Sequence, residues 1–589
     1  MRHRSLIRYR CAMLLLVLGL PWAAWAQIFA DRPDDRSMAA EYNRKVAMRD
    51  GVSLSTDIYR PSAPGRYPTI LSRYPYGNGN GAGSLAQPRH WVENGYVFVF
   101  QDVRGRYDSD GEFYPYRTEA QDGYDTIAWI VSQPWSDGTV GMSGGSYLAA
   151  VQWLVASERP PGLKALAPRV APFNYYHDVT YIGGALALLS RTSWGVYMSG
   201  RTNQEMPLDM QRMWWHLPLK TLDRAFGLDM PYWRDWIAHP ADDAYWAPFQ
   251  SGQRAAHMDL PALNIGGWYD GILGGTLSSY RSATTDMGPH ARRNQWLIIG
   301  PWDHKLARDG KTQLGELEFG PDSAMDFSNI ERRWFDHWLK GEANAVMDEA
   351  PVRLFVMGEN RWRSEREWPL ARTRYTAYYF HSQGVANTRD GDGGLSTRKP
   401  GVAQASSRYV YDPADPVPTV GGNLTPERYA GPRDQAQVEQ RQDVLVFTSE
   451  PLREDLEVTG PVSVVLYAAS SAPDTDFTAK LVDVHPDGKA YNLTDGIIRA
   501  RYRESFQQER LLEPGTVYEY TIDLWATSNL FKRGHRIRVD VSSSNFPRFD
   551  RNPNTGHTFG EDAELRKAQQ AVHHSRRYPS RIVLPVIPR

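Results

Sequence analysis

Cysteine is nearly missing from this chain. The single Cys11 lies within residues 1–26, so nothing downstream can form a disulfide, act as a thiol nucleophile or hold a metal through thiolate. Charge of one sign is missing too: 67 Lys and Arg stand against 68 Asp and Glu. Residues 1–26 hold four arginines and no acids, so their removal leaves 63 basic against 68 acidic groups, a net charge near −5. That balance argues against nucleic acid as a partner, because phosphate backbones select a basic surface. Long apolar runs are confined to residues 11–25, so no later stretch is long enough to span a bilayer. Asp108-Ser-Asp-Gly-Glu112 and Asp390-Gly-Asp-Gly-Gly394 carry only fragments of a calcium-loop ladder and read as solvated turns. No histidines and carboxylates recur at metal-ligand spacing, so the expectation is no metal and no cofactor.

What is present begins with an address. Arg2, Arg4, Arg8 and Arg10 precede the apolar run, and small residues stand at Ala24 and Ala26. This predicts a secretory signal peptide cut after Ala26 and a secreted or periplasmic protein; an uncleaved anchor is the alternative. At 589 residues the chain is too long for one core and calls for two or three domains.

The most informative stretch is Asp137-Gly-Thr-Val-Gly-Met-Ser-Gly-Gly-Ser-Tyr-Leu148. It reads as a strand, a glycine-rich hinge, a serine and a helix, the arrangement that lifts a nucleophile out of an α/β-hydrolase sheet. Ser143 matches the G-x-S-x-G pattern literally, whereas Ser146 lacks the last glycine. Strand-like alternation over residues 139–142 and helical spacing from Tyr147 onward place Ser146 at the strand-to-helix junction. Ser146 is therefore the expected nucleophile.

Partners follow in the order this fold requires. The apolar strand over residues 260–269 delivers Asp270, and residues 276–283 read as a crossover helix. A second apolar strand, residues 295–300, delivers Pro301-Trp-Asp-His304. His304 is the expected general base and later acid, and Asp270 holds its tautomer. Asp303 is the rival acid, but a neighbour in an extended segment points away from the ring. The oxyanion needs donors: one is the Tyr147 N–H, and the second comes from the loop Arg73-Tyr-Pro-Tyr-Gly-Asn78. Trp268, Tyr269 and Trp302 flank these residues and are expected to line an aromatic pocket, with strand-end packing as the alternative.

With these residues in view, the chain resembles the cocaine-esterase, α-amino-acid ester hydrolase and X-Pro dipeptidyl-peptidase group of serine hydrolases. The resemblance rests on Gly141-Met-Ser-Gly-Gly-Ser-Tyr-Leu148, Trp268-Tyr-Asp270-Gly, Gly300-Pro-Trp-Asp-His304 and Arg73-Tyr-Pro-Tyr76. Two further segments add to it, Asp102-Val-Arg-Gly-Arg-Tyr-Asp-Ser-Asp-Gly111 and Asp474-Thr-Asp-Phe-Thr-Ala-Lys-Leu-Val-Asp483. Ala149 departs from the glycine usual in the group. The resemblance implies that Tyr76 supplies the second oxyanion donor through its hydroxyl.

The domain expectation is an α/β-hydrolase domain over residues 38–172 and 256–350, with a helical cap inserted at 173–255. Short alternating segments from 351 to 589 predict a β-sandwich, which the resemblance sharpens to a jelly roll. The substrate is expected to be a small ester or amide, cleaved through an acyl-serine. In the α-amino-acid ester hydrolases an acidic pair after the catalytic aspartate holds the substrate ammonium. Here Asp270 is followed by Gly271-Ile-Leu-Gly-Gly275, so a neutral or acidic acyl group is favoured, as in the cocaine-esterase or glutaryl-cephalosporin acylase branches. X-Pro dipeptidyl-peptidase or α-amino-acid ester hydrolase activity is the alternative. A catalytically inactive envelope or carbohydrate-binding protein is the second. Homo-oligomer formation is left open.

Overall fold

The computed structural model describes residues 37–77, 85–205, 209–306, 312–401 and 405–588. The expected signal peptide, residues 1–26, lies outside them. Among the described residues no helix is long and apolar enough to cross a membrane.

The first half is built on a ten-stranded sheet. Its strands are β1 (Met38–Ala47), β2 (Ser53–Pro61), β3 (Tyr67–Tyr74), β4 (Val97–Asp102) and β5 (Ser136–Gly145). They continue with β6 (Leu163–Arg169), β7 (Ala262–Gly267), β8 (Gln295–Gly300), β9 (Val352–Val356) and β10 (Arg361–Glu365). The spatial order is β1-β2-β4-β3-β5-β6-β7-β8-β9-β10. From β4 to β9 every pairing is parallel, and both flanks are antiparallel. The parallel strands are apolar along their length because helices cover both faces; β7 and β8 are buried at every position.

Helices α1 (Glu119–Val131), α2 (Tyr147–Glu158), α3 (Leu273–Thr285) and α4 (Phe327–Lys340) supply that cover. α4 shows how sequence sets an element's bounds. Asp326 caps its first turn by accepting from the Asn329 N–H, and Gly341 ends it with φ of 73°. Between those stops Trp334 and Phe335 face the sheet, fully buried. The Phe335 ring lies where a side chain at Gly141 of β5 would project, a Cβ there meeting it at 2.5 Å. Gly141 is thus fixed by packing.

The segment between β6 and β7 is the cap. Its helices cover Leu188–Tyr197, Met210–Trp214, Leu222–Ala225 and Pro231–Ala238. Within the helical cap expected at 173–255, residues 181–186 are not helical. Ala185 and Leu186 form a short ladder with Tyr181 and Ile182, and the helix starts at Leu188.

A larger correction concerns the start of the sandwich, expected at residue 351. Val352–Val356 is β9, which pairs parallel to β8 with Leu297 opposite Val352. Together with β10 it completes the hydrolase sheet, so the boundary expected at 350 falls two strands too early. Alternation alone cannot say which sheet a strand joins.

The C-terminal β-sandwich begins with Arg374–His381 and ends with Arg581–Val586. Its eleven strands are almost all antiparallel. Phe380 and Phe447 stack at 4.4 Å within a core that includes Leu466, Leu481, Ile522 and Val539. Where the sandwich meets the cap, buried charge stands beside an apolar cluster of Ile182, Ala185, Ile497 and Phe549. The guanidinium of Arg499 bridges Asp476 and Asp550 at 2.9 Å, and Asp550 accepts from the Leu186 N–H at 2.8 Å.

Candidate active site

β5 runs through Gly145, and α2 starts at Tyr147, leaving Ser146 alone at the turn. Its backbone is left-handed, φ 61° and ψ −120°, a conformation that costs a non-glycine residue energy and persists only when its surroundings enforce it. Two contacts do so. The Ser146 N–H donates to the Arg169 carbonyl at 2.9 Å, and the Ser146 carbonyl accepts from Ala149 and Ala150. The turn points the hydroxyl away from the helix it opens, toward His304.

His304 Nε2 lies 2.8 Å from Ser146 Oγ, and its Nδ1 lies 2.7 Å from Asp270 Oδ1. Asp270 is fully buried, and its Oδ1 also accepts from the Ile272 N–H at 3.1 Å. An imidazole bridging a hydroxyl and a buried carboxylate can take a proton on one face while the other is held in a single tautomer. The structure thus brings together Ser146, Asp270 and His304 from the ends of β5, β7 and β8.

The competing residues point elsewhere. Ser143 is buried within β5 and donates to Glu331 Oε2 of α4 at 2.7 Å, on the other side of the sheet. Asp303 Oδ1 accepts from the Lys305 N–H at 2.9 Å, in its own turn.

Tyr147 holds the first N–H of α2, which has no acceptor within the helix. Its side chain is fully buried, donating to Glu119 Oε1 at 2.8 Å and accepting from the Tyr116 N–H at 3.1 Å. Glu119 pairs with Arg73, whose guanidinium also reaches the Glu119 carbonyl and Gln101 Oε1. Burial pushes the Glu119 carboxyl up and the Arg73 charge pulls it back down. Arg73 lies near the end of β3, just before Tyr76, so one buried ion pair ties the residue after Ser146 to the segment that carries Tyr76. Sequence reasoning missed Glu119, which carries no motif; Arg73 was visible only as part of the Arg73-Tyr-Pro-Tyr76 string.

Tyr76 is held from the cap. Trp194 Nε1 donates to Tyr76 Oη at 3.1 Å, and the Trp194 ring stacks on Tyr147. Burial drives the Tyr76 phenol far above its ordinary range, so the hydroxyl keeps its proton. Trp194 is a second residue that no sequence signal marked.

The expected pocket residues are corrected. Trp268, Tyr269 and Trp302 are all buried and turned into packing. Trp268 Nε1 donates to the Phe355 carbonyl, the Tyr269 hydroxyl to Asn492 and Trp302 Nε1 to Ser323. Each indole or phenol satisfies its polar atom inside the protein, as a buried aromatic must. A small cavity beside Asp270 is lined instead by Ile182, Leu189, Arg191, Ile272, Leu424 and Arg548 among others, with no carboxylate among the described residues.

The sandwich closes the rear of the site. Leu424 pairs with Asp270 in a parallel bridge, and Asn423 Nδ2 donates to the Trp268 carbonyl. A Cβ on Gly271 would meet Thr425 Oγ1 at 2.6 Å.

The chain is similar to known proteins over most of its length. Residues 50–306 match the model of X-Pro dipeptidyl-peptidase (S15 family), and residues 344–583 match that of the X-Pro dipeptidyl-peptidase C-terminal non-catalytic domain. Cocaine esterase of Rhodococcus sp. (strain MB1 Bresler) is 40% identical over 94% of this chain and 100% of its own length. An α-amino acid ester hydrolase structure superposes with a TM-score of 0.83 at 29% identity, covering 94% of this chain and 97% of the other. An aminopeptidase from a marine-sediment Thaumarchaeota archaeon gives 0.82 at 28% identity, covering 95% and 99%.

Proposed function

The chain belongs to the serine hydrolase family of cocaine esterase and the X-Pro dipeptidyl-peptidases, and from that premise we propose that Ser146, His304 and Asp270 are its catalytic triad. The observation that carries the reading is the pair of hydrogen bonds made by His304, 2.8 Å to Ser146 Oγ and 2.7 Å to Asp270 Oδ1. His304 Nε2 takes the hydroxyl proton as Oγ attacks the acyl carbon. The negative charge on the carbonyl oxygen is met by the Tyr147 N–H and the Tyr76 hydroxyl. The carbon–leaving-group bond then breaks, and the proton on His304 passes to the departing alcohol or amine. Water repeats the sequence on the acyl-serine, giving up a proton to His304 and freeing the acid.

The substrate in this proposal is an ester or amide with a neutral or acidic acyl group. The segment after Asp270, Gly271-Ile-Leu-Gly-Gly275, carries no acid, and among the described residues no carboxylate lines the small cavity beside it. An α-ammonium group there would be desolvated without a counter-charge. Export through residues 1–26 belongs to the same proposal, and N-terminal sequencing of protein recovered outside the cytoplasm would test it: an N-terminus still at Met1 counts against cleavage.

The decisive experiment pairs fluorophosphonate labelling with two variants. Ser146→Ala should lose both label and turnover, the latter by on the order of 10⁴-fold or more. Ser143→Ala should keep both, at a stability cost of about 1.5–3 kcal/mol for the lost bond to the buried Glu331 carboxylate. Retention of label by Ser146→Ala would end the assignment. A wild-type protein that stays unlabelled beside a reactive control would favour a binding role. A panel of chromogenic esters and anilides then separates neutral and acidic acyl groups from α-amino ones.

A further inference from the structure

Two histidines and a carboxylate meet at one end of the sandwich, formed by elements other than those that carry Ser146, Asp270 and His304. Asp483 lies near the end of the strand Asp476–Val484, and His485 opens the turn that leads into Ala490–Arg499. His535 immediately precedes the strand Arg536–Ser542. Antiparallel pairing sets Val484 opposite Arg536 and Asp483 opposite Ile537, which gathers the three side chains at neighbouring strand ends. Sequence spacing conceals the group, since His535 is far downstream of the Asp483-Val-His485 pair. The expectation of no metal rested on sequence spacing alone, and the proposal for this cluster departs from it.

His535 Nδ1 is 2.8 Å from Asp483 Oδ1, and His485 Nε2 is 4.0 Å from Asp483 Oδ2. One ligand atom from each residue lies within 4.8 Å of the other two. Metal–ligand bonds of about 2.1 Å at tetrahedral angles put ligand atoms about 3.4 Å apart. The observed separations bracket that value, so side-chain shifts of roughly 1 Å suffice to close the set around an ion. The Asp483 side chain is 6% exposed, His535 12% and His485 30%. That gradient leaves one side open to water. Asn529 Nδ2 donates to Asp483 Oδ2 at 3.2 Å, the kind of outer bond that holds a ligating carboxylate in place.

We propose that Asp483, His485 and His535 bind a divalent cation of the zinc class, with water completing its coordination. Two imidazoles and one carboxylate select Zn²⁺, Co²⁺ or Ni²⁺ over Ca²⁺ and Mg²⁺, which prefer an all-oxygen shell. The ion would displace the proton shared by His535 and Asp483 and pin the turn at 485–489 to the turn before Arg536. Its role is to brace the sandwich; it takes no part in hydrolysis.

The test titrates Zn²⁺ and Co²⁺ into the full, chelator-treated chain, reading calorimetry, the visible spectrum of bound Co²⁺ and Tm. One equivalent should bind, Co²⁺ should show the intense bands of a low-coordinate site, and Zn²⁺ should raise Tm. His485→Ala and His535→Ala should each weaken binding by more than the roughly 10–100-fold that loss of an outer partner brings and abolish the rise in Tm, with ester turnover unchanged. Should His535→Ala fail to fold, His485→Ala decides alone, since that side chain stands on a turn. Unchanged affinity in His485→Ala would overturn the proposal by placing the ion elsewhere, for instance at the exposed His557, Asp562 and Glu564 group. So would the absence of any binding by the unmutated chain.

Discussion

A phenol that is to donate to a developing oxyanion must keep its proton, and Tyr76 is buried deeply enough to do so. Its hydroxyl accepts from Trp194, which fixes the oxygen. Tyr76→Phe keeps the ring and its edge contact with Tyr74 while deleting the donor. The expected outcome is a fall of about 10²–10³ in kcat with little change in KM, because the bond strengthens only as charge reaches the oxygen. A kcat close to wild type in steady-state assays would move the second donor elsewhere. At this scale the sequence was most legible where chemistry and geometry coincide. Ser146 could be preferred to Ser143 because helical spacing begins one residue after it. Trp268, Tyr269 and Trp302 misled, because standing at a strand end says nothing about which face a side chain takes. Glu119 was invisible, since a buried carboxylate that holds Arg73 and Tyr147 belongs to no motif.

Strands and helices were readable from periodicity where they were long. β7, β8 and α3 each lie where apolar runs or helical spacing put them. The short ladder at 181–186 and the allegiance of β9 were not readable, because both are decided by distant partners. The same limit applies to Leu424, whose bridge to Asp270 joins two elements that sequence analysis placed in separate domains. Gly271 measures how tight that joint is. Gly271→Ala adds one methyl against Thr425 and the Leu424 backbone, and neither has room to retreat cheaply. The expected result is a loss of about 1–3 kcal/mol in stability, with kcat reduced further than unfolding accounts for, as Asp270 is pushed off His304. Denaturant titration beside steady-state kinetics checks this; a variant with unchanged kcat would show the joint to be slack.

For the whole molecule, one buried acid sets a pH dependence. Asp540 lies in the sandwich beside Glu439, Arg538 and Lys480, and neither of its oxygens finds a hydrogen bond among the described residues. Burial, reinforced by Glu439 and opposed by Arg538 and Lys480, pushes its carboxyl up to about 8. The folded chain therefore holds a proton that the unfolded chain releases near pH 4. Between those values the native state binds more protons, so stability falls as pH rises, by at most about 1.4 kcal/mol per pH unit. Asp540→Asn removes this titration. Melting curves from pH 5 to 8 should show Tm of the unmutated chain declining relative to the variant as pH climbs; parallel curves would refute it. Length and composition predicted several bodies but not the buried ionic joints between them.

The bridge between Leu424 and Asp270 also bears on the order in which the site is built. Ser146, Asp270 and His304 all leave the ribosome well before Leu424 does. The strand Arg581–Val586, which lies between Leu456–Ser470 and Arg374–His381 in the middle of its sheet, emerges later still. The wall that seats Asp270 is thus made later than the residues it supports.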